Sequence, residues 1–337
     1  MKRLIIPICI AILLSGCSSA GSQTNIPANM TVVESSQTKS GTKNDNSSQN
    51  TSKSKETSQT KNNGESINIS DNYSFTYSDF KLVDSNEKLN ECFKKLDEIC
   101  SGADYNLSFS YQNLDTGAQI NYRPDSYYLT CSTIKATYVK HLLERNIDLD
   151  DIIYKSDVCD GDYETVASSS KSSFTAKELM EYAILESDNT AYYLLVKNYG
   201  YTEFNDMLSR IGASFRLSEG VIWTRCTSLD MRKCFEDIYN YAEENANGKW
   251  LVNLMSDADL NIQIGAALGD KYKVAQKYGS EFTEYSFHDC ALVYADSPFV
   301  LSIFTNQYPE TEESCKVFKD LAAVFDEINS QIVLNKS

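Results

Sequence analysis

Three short strings in the chain carry groups that could perform covalent catalysis: Ser132-Thr133-Ile134-Lys135, Ser187-Asp188-Asn189 and Lys277-Tyr278-Gly279. Residues three apart share one face of a helix, so Lys135 is expected beside Ser132. A serine hydroxyl is a weak nucleophile until a base takes its proton, and a lysine can act as that base once burial or a neighbouring cation lowers its pKa. Ser132 falls where the segment 128–131 runs into an apolar, helix-like stretch. The unpaired N–H groups of a helix start favour negative charge developing on a substrate oxygen. Ser187 follows a second helical segment, and Lys277 lies near the end of a strand-like one. A lone S-x-x-K is common by chance; the order, spacing and context of the three strings together are far more specific.

These strings need a scaffold, and the chain supplies one only after residue 72. Residues 1–16 carry Lys2 and Arg3, then an apolar run too short for a membrane span, with the layout of an export signal. The run ends Leu14-Ser15-Gly16-Cys17, which resembles a bacterial lipoprotein processing site and implies cleavage before Cys17 and acylation of that residue. Residues 17–72 are rich in Ser, Thr, Asn, Gln and Lys, and Tyr73 is the first aromatic residue of the chain. Such a composition cannot offset its ordering entropy and is expected to form a disordered tether. Residues 73–337 are long enough for one large domain.

The formal charge is −16, and becomes −18 without Lys2 and Arg3, which argues against a phosphate-binding surface and with it nucleic acid as a partner. Eight cysteines remain after Cys9 and Cys17 are set aside, and both buried thiols and partial disulfide formation stay open. With two histidines and no C-x-x-C pair, neither a metal nor another cofactor is expected.

Periodicity organises the domain. Apolar spacing predicts helices over 87–100, 132–144, 190–198, 202–211, 229–244 and 313–329, and Thr175 with Glu178 makes a capping-box pattern opening a further helix that ends before Ser187. Gly200 and Gly212 close two of them. Residues 105–111 alternate like a half-buried strand, with 118–122 as its hairpin partner across Asp115-Thr116-Gly117. Strands are expected again at 271–278, 287–295 and 299–304. Strands at both ends with helices between predict an α+β domain: one antiparallel sheet joining the termini, packed with helices, plus an all-helical region.

S-x-x-K, S-D-N and a K-T-G-like string in this order are the signature of class A β-lactamases and penicillin-binding proteins. Residues 130–145, 174–213 and 274–304 resemble the corresponding stretches of class A serine β-lactamases, and Ser187-Asp188-Asn189-Thr190-Ala191 is especially close. The resemblance implies the β-lactamase/DD-peptidase-like fold and a serine hydrolase acting as a monomer. In that reading Ser132 is the acylated nucleophile, Lys135 its base or proton shuttle, and Ser187 the group that passes a proton to the leaving nitrogen. Lys277 holds down the pKa of Ser187 and attracts the substrate carboxylate, while Asn189 orients Lys135 and contacts the substrate amide. Gly279 and Ser280 continue the substrate-binding strand, and the N–H groups of Ser132 and Ser280 form the oxyanion hole. The substrate is a β-lactam or a peptidoglycan stem peptide, and Cys17 tethers the enzyme to the outer side of the cell membrane.

Two departures qualify this. Tyr278 stands where the family has a Thr or Ser that binds the substrate carboxylate. The stretch 214–227, where the family carries the deacylating glutamate with a downstream asparagine, is short, and its only acid is Glu219, expected as an exposed turn residue. An acyl-enzyme that forms and then persists is the consequence. A D-Ala-D-Ala peptidase and a non-hydrolytic wall- or antibiotic-binding sensor are the alternatives. His288-Asp289, His141 on the polar side of its helix, and Cys131 read as structural; Lys140, Glu144 and Arg145 read as a solvated face.

Overall fold

The computed structural model describes residues 73–76, 80–82, 86–156, 158–159, 162–258 and 261–334; the signal 1–16, Cys17 and the tether 17–72 lie outside them. Strands β1 (Tyr73–Thr76) and β2 (Phe80–Leu82) precede helix α1 (Asn86–Gly102). Strands β3 (Leu107–Asn113), β4 (Gln119–Tyr122) and β5 (Tyr127–Leu129) lead into α2 (Thr133–Glu144). The middle of the chain holds β6 (Ile152–Tyr154), α3 (Thr165–Ser168), β7 (Ser173–Thr175), α4 (Ala176–Leu185), α5 (Asn189–Tyr199) and α6 (Thr202–Arg210). Then come β8 (Arg225–Thr227), α7 (Ser228–Glu244), α8 (Ala246–Ser256) and α9 (Ile264–Leu268). Strands β9 (Lys273–Glu281), β10 (Ser286–Tyr294) and β11 (Phe299–Thr305), helix α10 (Glu312–Ser330) and β12 (Ile332–Leu334) finish the fold.

One antiparallel sheet in the order β1-β4-β3-β11-β10-β9 joins the two ends of the domain, as the pattern predicts. Side chains alternate across a strand, so β10 and β11 serve two cores at once. Phe287, Ala291, Phe299, Leu301 and Ile303 pack with Phe93 and Leu96 of α1 and with Phe318, Leu321 and Phe325 of α10. Cys290, Leu292, Val300 and Phe304 face the helical region, where Ile134, Tyr138, Leu179, Tyr192 and Phe235 gather. The half-buried reading of β3 is thereby corrected: all seven of its residues are buried, because helices cover both faces.

The helices fall within two residues of their expected bounds, and Thr175 and Glu178 form the capping box. Helix α8 is not among the expected helices, and Asn247 and Gly248 near its start are weak helix formers. Gly248 is in fact required there, since a Cβ would lie 2.6 Å from the Ala242 Cα of α7. All eight cysteines of the domain are free thiols, six of them buried, which decides against partial disulfide formation.

The expected solvated face of α2 is also overturned. Lys140 is buried, bonded to Glu144 at 2.8 Å and to Asp237 of α7 at 2.5 Å. Among these residues only Arg145 is exposed, pairing with Glu203 at 2.7 Å. His141 does not face solvent: it sits 5.6 Å from the Phe204 ring, and burial pulls its pKa down to about 4. Helix α2 carries an almost continuous buried surface because α6, α7 and α8 surround it.

Truncating Lys140 would leave the half-buried Asp237 with Arg210 alone, at 3.7 Å. Lys140→Ala is therefore expected to lower stability by about 3 kcal/mol, seen as a lower urea midpoint at unchanged m. A loss below about 1 kcal/mol, the range of an exposed pair, would show that Asp237 and Glu144 are adequately solvated without it.

Candidate active site

Strand β5 pairs with β8, and the Thr130 N–H donates to the Thr224 carbonyl at 2.7 Å, so the segment 224–227 holds the chain entering α2. Cys131 then takes φ 45°, a left-handed conformation that costs a non-glycine residue about 1–2 kcal/mol. The twist places Ser132 at the N-cap of α2, with its hydroxyl making no capping bond to the helix. The first turn is secured instead by the Thr133 hydroxyl, which donates to the Thr130 carbonyl at 2.6 Å. Cys131 itself is buried and its thiol is pushed up to about 12 by desolvation, which leaves it structural.

One helical turn on, Lys135 is fully buried. Its Nζ donates to the Ser187 carbonyl, to Asn189 Oδ1 at 2.8 Å and to Ser187 Oγ at 3.3 Å. From the opposite side, Lys277 Nζ donates to Ser187 Oγ at 2.9 Å. Ser187 is a second non-glycine residue at positive φ, 59°, in the turn between α4 and α5. Strained backbone thus brackets the constellation on both sides, as is common where geometry serves chemistry. Burial pulls Lys135 down to about 8, opposed by the charges of Glu164, Asp188 and Asp162. Lys277 is pulled well below its ordinary value by burial and by the Lys135 charge. Ser187 thus lies between two buried amines able to exchange a proton with it, and Lys135 stands one helical turn from Ser132.

Gly279 explains how β9 reaches this centre. A Cβ there would meet Cys131 Cβ and Ser132 N at 2.8 Å each, so only glycine lets the strand lie against the start of α2. That contact brings the backbone of residues 279–280 alongside the Ser132 N–H.

Two cavities flank the lysines. One of about 560 Å³ is lined by Ser132, Asn189 and Ser280; a smaller one of about 270 Å³ is lined by Ser187, Lys277 and Tyr278. Tyr278 does not line the Ser132 cavity. Its ring lies 4.7 Å from Lys277 Nζ and packs against the core on the α10 side. Ser280 Oγ donates to Glu310 at 2.9 Å. A larger cavity of about 1240 Å³ lies between α1 and α10 and holds none of these groups.

The remaining candidates are structural. Glu219 is exposed in the turn closed by the Ser218–Val221 bridge and Gly220. His288 stacks 4.1 Å from Phe304 and accepts the Thr305 N–H at 3.3 Å, while Asp289 accepts the Ile264 N–H at 3.1 Å.

Sequence reasoning missed the far wall of the nucleophile cavity. Asp162, Tyr163, Glu164, Trp223 and Glu281 line it with Ser132. Three carboxylates cap α5 in succession: Glu164 accepts the Asn189 N–H at 2.9 Å, Asp162 that of Thr190 at 2.7 Å, and Asp188 that of Ala191 at 2.7 Å. The acid-rich stretch before α3 was the available signal, but nothing in its spacing ties it to Ser132. Trp223 comes from the short stretch 214–227, with Lys135 Nζ 5.4 Å from its ring. That segment therefore brings an indole to the cavity instead of a carboxylate.

A serine at a helix start, an inward lysine and a second serine shared between two ammonium groups define an acyl-transfer enzyme of the serine hydrolase type. The model of the β-lactamase enzyme family matches residues 91–328, and the chain belongs to that family. No curated protein matches the chain significantly. Among solved structures it is similar to an ancestral class A β-lactamase (21% identity, TM-score 0.60), covering 70% of this chain and 99% of that one. It is also similar to a β-lactamase from Streptosporangium roseum (20%, TM-score 0.61, 72% and 99%). A third similar structure is a point mutant of PBP-A, an acyl-enzyme complex with penicillin G (17%, TM-score 0.62, 72% and 97%). These likenesses establish the β-lactamase/DD-peptidase-like fold.

With Lys135 as the base, only its neutral amine can take the Ser132 proton, so acylation should rise with pH through about 8 and level off above it. Glu164→Gln removes the largest charge that keeps the proton on Lys135. The limb should then move to lower pH, and acylation on the acid side of the limb should quicken in stopped-flow traces. An unmoved or higher limb would assign the titration to another group.

Proposed function

We propose that the chain is a β-lactamase-like serine hydrolase that is acylated at Ser132 by β-lactams and releases the acyl group slowly. Neutral Lys135 takes the Ser132 proton as Oγ attacks the lactam carbonyl. The N–H groups of Ser132 and Ser280 receive the developing oxyanion. Ser187 then passes a proton to the departing nitrogen and is resupplied by the lysines on either side of it. Asn189 orients Lys135 by accepting from its Nζ at 2.8 Å. The single observation that carries this reading is the bonding of Ser187 Oγ to Lys277 at 2.9 Å and to Lys135 at 3.3 Å, with Lys135 one helical turn from a Ser132 whose hydroxyl is left out of helix capping.

Slow release follows from the cavity wall. Glu219 lies in an exposed turn, and Trp223 takes the place at the cavity where that segment would present a base. The nearby Asp162 spends both carboxyl oxygens on the backbone N–H groups of Thr190 and Glu164. The similar PBP-A structure, an acyl-enzyme complex with penicillin G, is compatible with a second reading, a D-Ala-D-Ala peptidase acting on peptidoglycan stems through the same serine. Tyr278 supports a changed carboxylate contact in either case. Lipid attachment at Cys17, with the domain on the outer side of the membrane, completes the proposal and rests on Leu14-Ser15-Gly16-Cys17.

Mixing the purified full chain with a chromogenic cephalosporin, and following colour and intact mass together, tests the chemistry. About one equivalent of colour with a persistent adduct is expected, lost in Ser132→Ala and unchanged in rate of decay in Glu219→Gln. Sustained turnover would refute slow release, and absence of an adduct would refute acylation. For the anchor, Cys17→Ser should move the chain from the membrane to the soluble fraction; a membrane-bound variant would rule lipidation out as the tether.

A further inference from the structure

The cavity in front of Ser132 has an unusual lining for an enzyme expected to take anionic β-lactams. Its wall carries the carboxylates of Asp162, Glu164 and Glu281 and the rings of Tyr163 and Trp223, and among the described residues no lysine or arginine side chain lines it. Lys135 and Lys277 lie behind that wall, both buried.

Helix capping does not consume this charge. One carboxyl oxygen each of Asp162, Glu164 and Asp188 lies within 4.8 Å of the other two. They converge on the start of α5, whose dipole contributes only about half a positive charge. Asp188 uses both oxygens on the Ala191 and Val166 N–H groups, and Asp162 uses its two on those of Thr190 and Glu164. Glu164 uses Oε2 for the Asn189 N–H, and its Oε1 takes no hydrogen bond among the described residues. Glu281 is bonded back to residues 283 and 284 of its own hairpin, which keeps its charge in place at the rim. Tyr163, 88% exposed, offers an open ring beside Glu164. A carboxylate oxygen without a partner next to an exposed aromatic face suits an ammonium group, which gains from both.

Resting on acylation at Ser132, we propose that the preferred acyl donor carries an ammonium group on its acyl side, seated against Glu164 and Asp162 and beside the Tyr163 ring. Two sources share this chemistry: a β-lactam with an ammonium-bearing acylamino side chain, and a peptide ending in D-alanyl-D-alanine with a free amine. The covalent step is unaltered. Ser132 Oγ still bonds the carbonyl carbon, and the lactam or peptide nitrogen still leaves with a proton.

The test measures second-order acylation constants of the full chain for matched pairs. One pair is two penicillins with the same phenyl-bearing side chain, with and without an α-ammonium group; the other is a D-alanyl-D-alanine peptide with its amine free or acetylated. The ammonium member should react about tenfold faster at low salt, with the advantage shrinking as ionic strength rises. Glu164→Gln and Asp162→Asn should each reduce the ratio to about threefold or less, and Glu164→Asp should restore most of it. Glu219→Gln, an equal change of net charge away from the cavity, should leave it intact. Preference within the penicillin pair assigns the cation to the antibiotic, and preference within the peptide pair assigns it to the wall stem. Equal rates in both pairs, or a preference surviving both neutral variants, overturn the inference while acylation stands. No adduct with any of the four overturns acylation and this inference together.

Discussion

Everything in this site depends on keeping an ammonium-bearing side chain, Lys135, wholly inside the protein. An unpaired buried charge is costly, so the surroundings must either neutralise it or bond it. Here they do both by halves. Burial draws the pKa to about 8, and the Ser187 carbonyl, Asn189 and Ser187 Oγ take up the donors that remain. The need to satisfy one nitrogen explains why the α4–α5 turn must present its carbonyl and hydroxyl inward, even though this forces a serine into a left-handed conformation.

The sheet serves this requirement from the other side. Edge strand β9 reaches α2 only because residue 279 has no side chain, and Lys277, two residues earlier, delivers a second buried ammonium to the same hydroxyl. Two like charges across one serine are tolerable because burial lowers both. Glu164, Asp188 and Asp162 at the start of α5 favour the proton on Lys135, and Asp289 and Glu164 favour that on Lys277, so helix capping and active-site electrostatics are linked.

Family membership and the altered loop are compatible once the reaction is divided into its halves. Of the groups suited to forming an acyl-enzyme, Lys135, Ser187, Asn189 and Lys277 are joined by hydrogen bonds one helical turn from Ser132. The segment that would present a base for the second half instead contributes Trp223, whose ring sits beside the lysine. A carboxylate-lined cavity then points to an acyl donor chosen by charge, and Tyr278, turned toward Lys277 and the α10 core, stands outside that cavity.

Much of this was legible in the chain itself. The three strings, their order and the helical spacing of Ser132 and Lys135 depend on local periodicity and covalent distance, and both act before any packing. The antiparallel sheet with its termini joined followed from alternation, and most helix ends followed from caps such as Thr175–Glu178 and Gly200. Burial did not follow. Lys140 and His141 look polar in sequence, and only the helices packed around α2 make them core residues. Nor did the meeting of Asp162, Glu164 and Trp223 with Ser132, because a side chain's partners across distant segments are set by how α5, the segment before α3 and the 214–227 stretch come together. Sequence alone determined which groups could react; the tertiary structure decided which carry charge and what they face, because burial and dielectric are properties of packing.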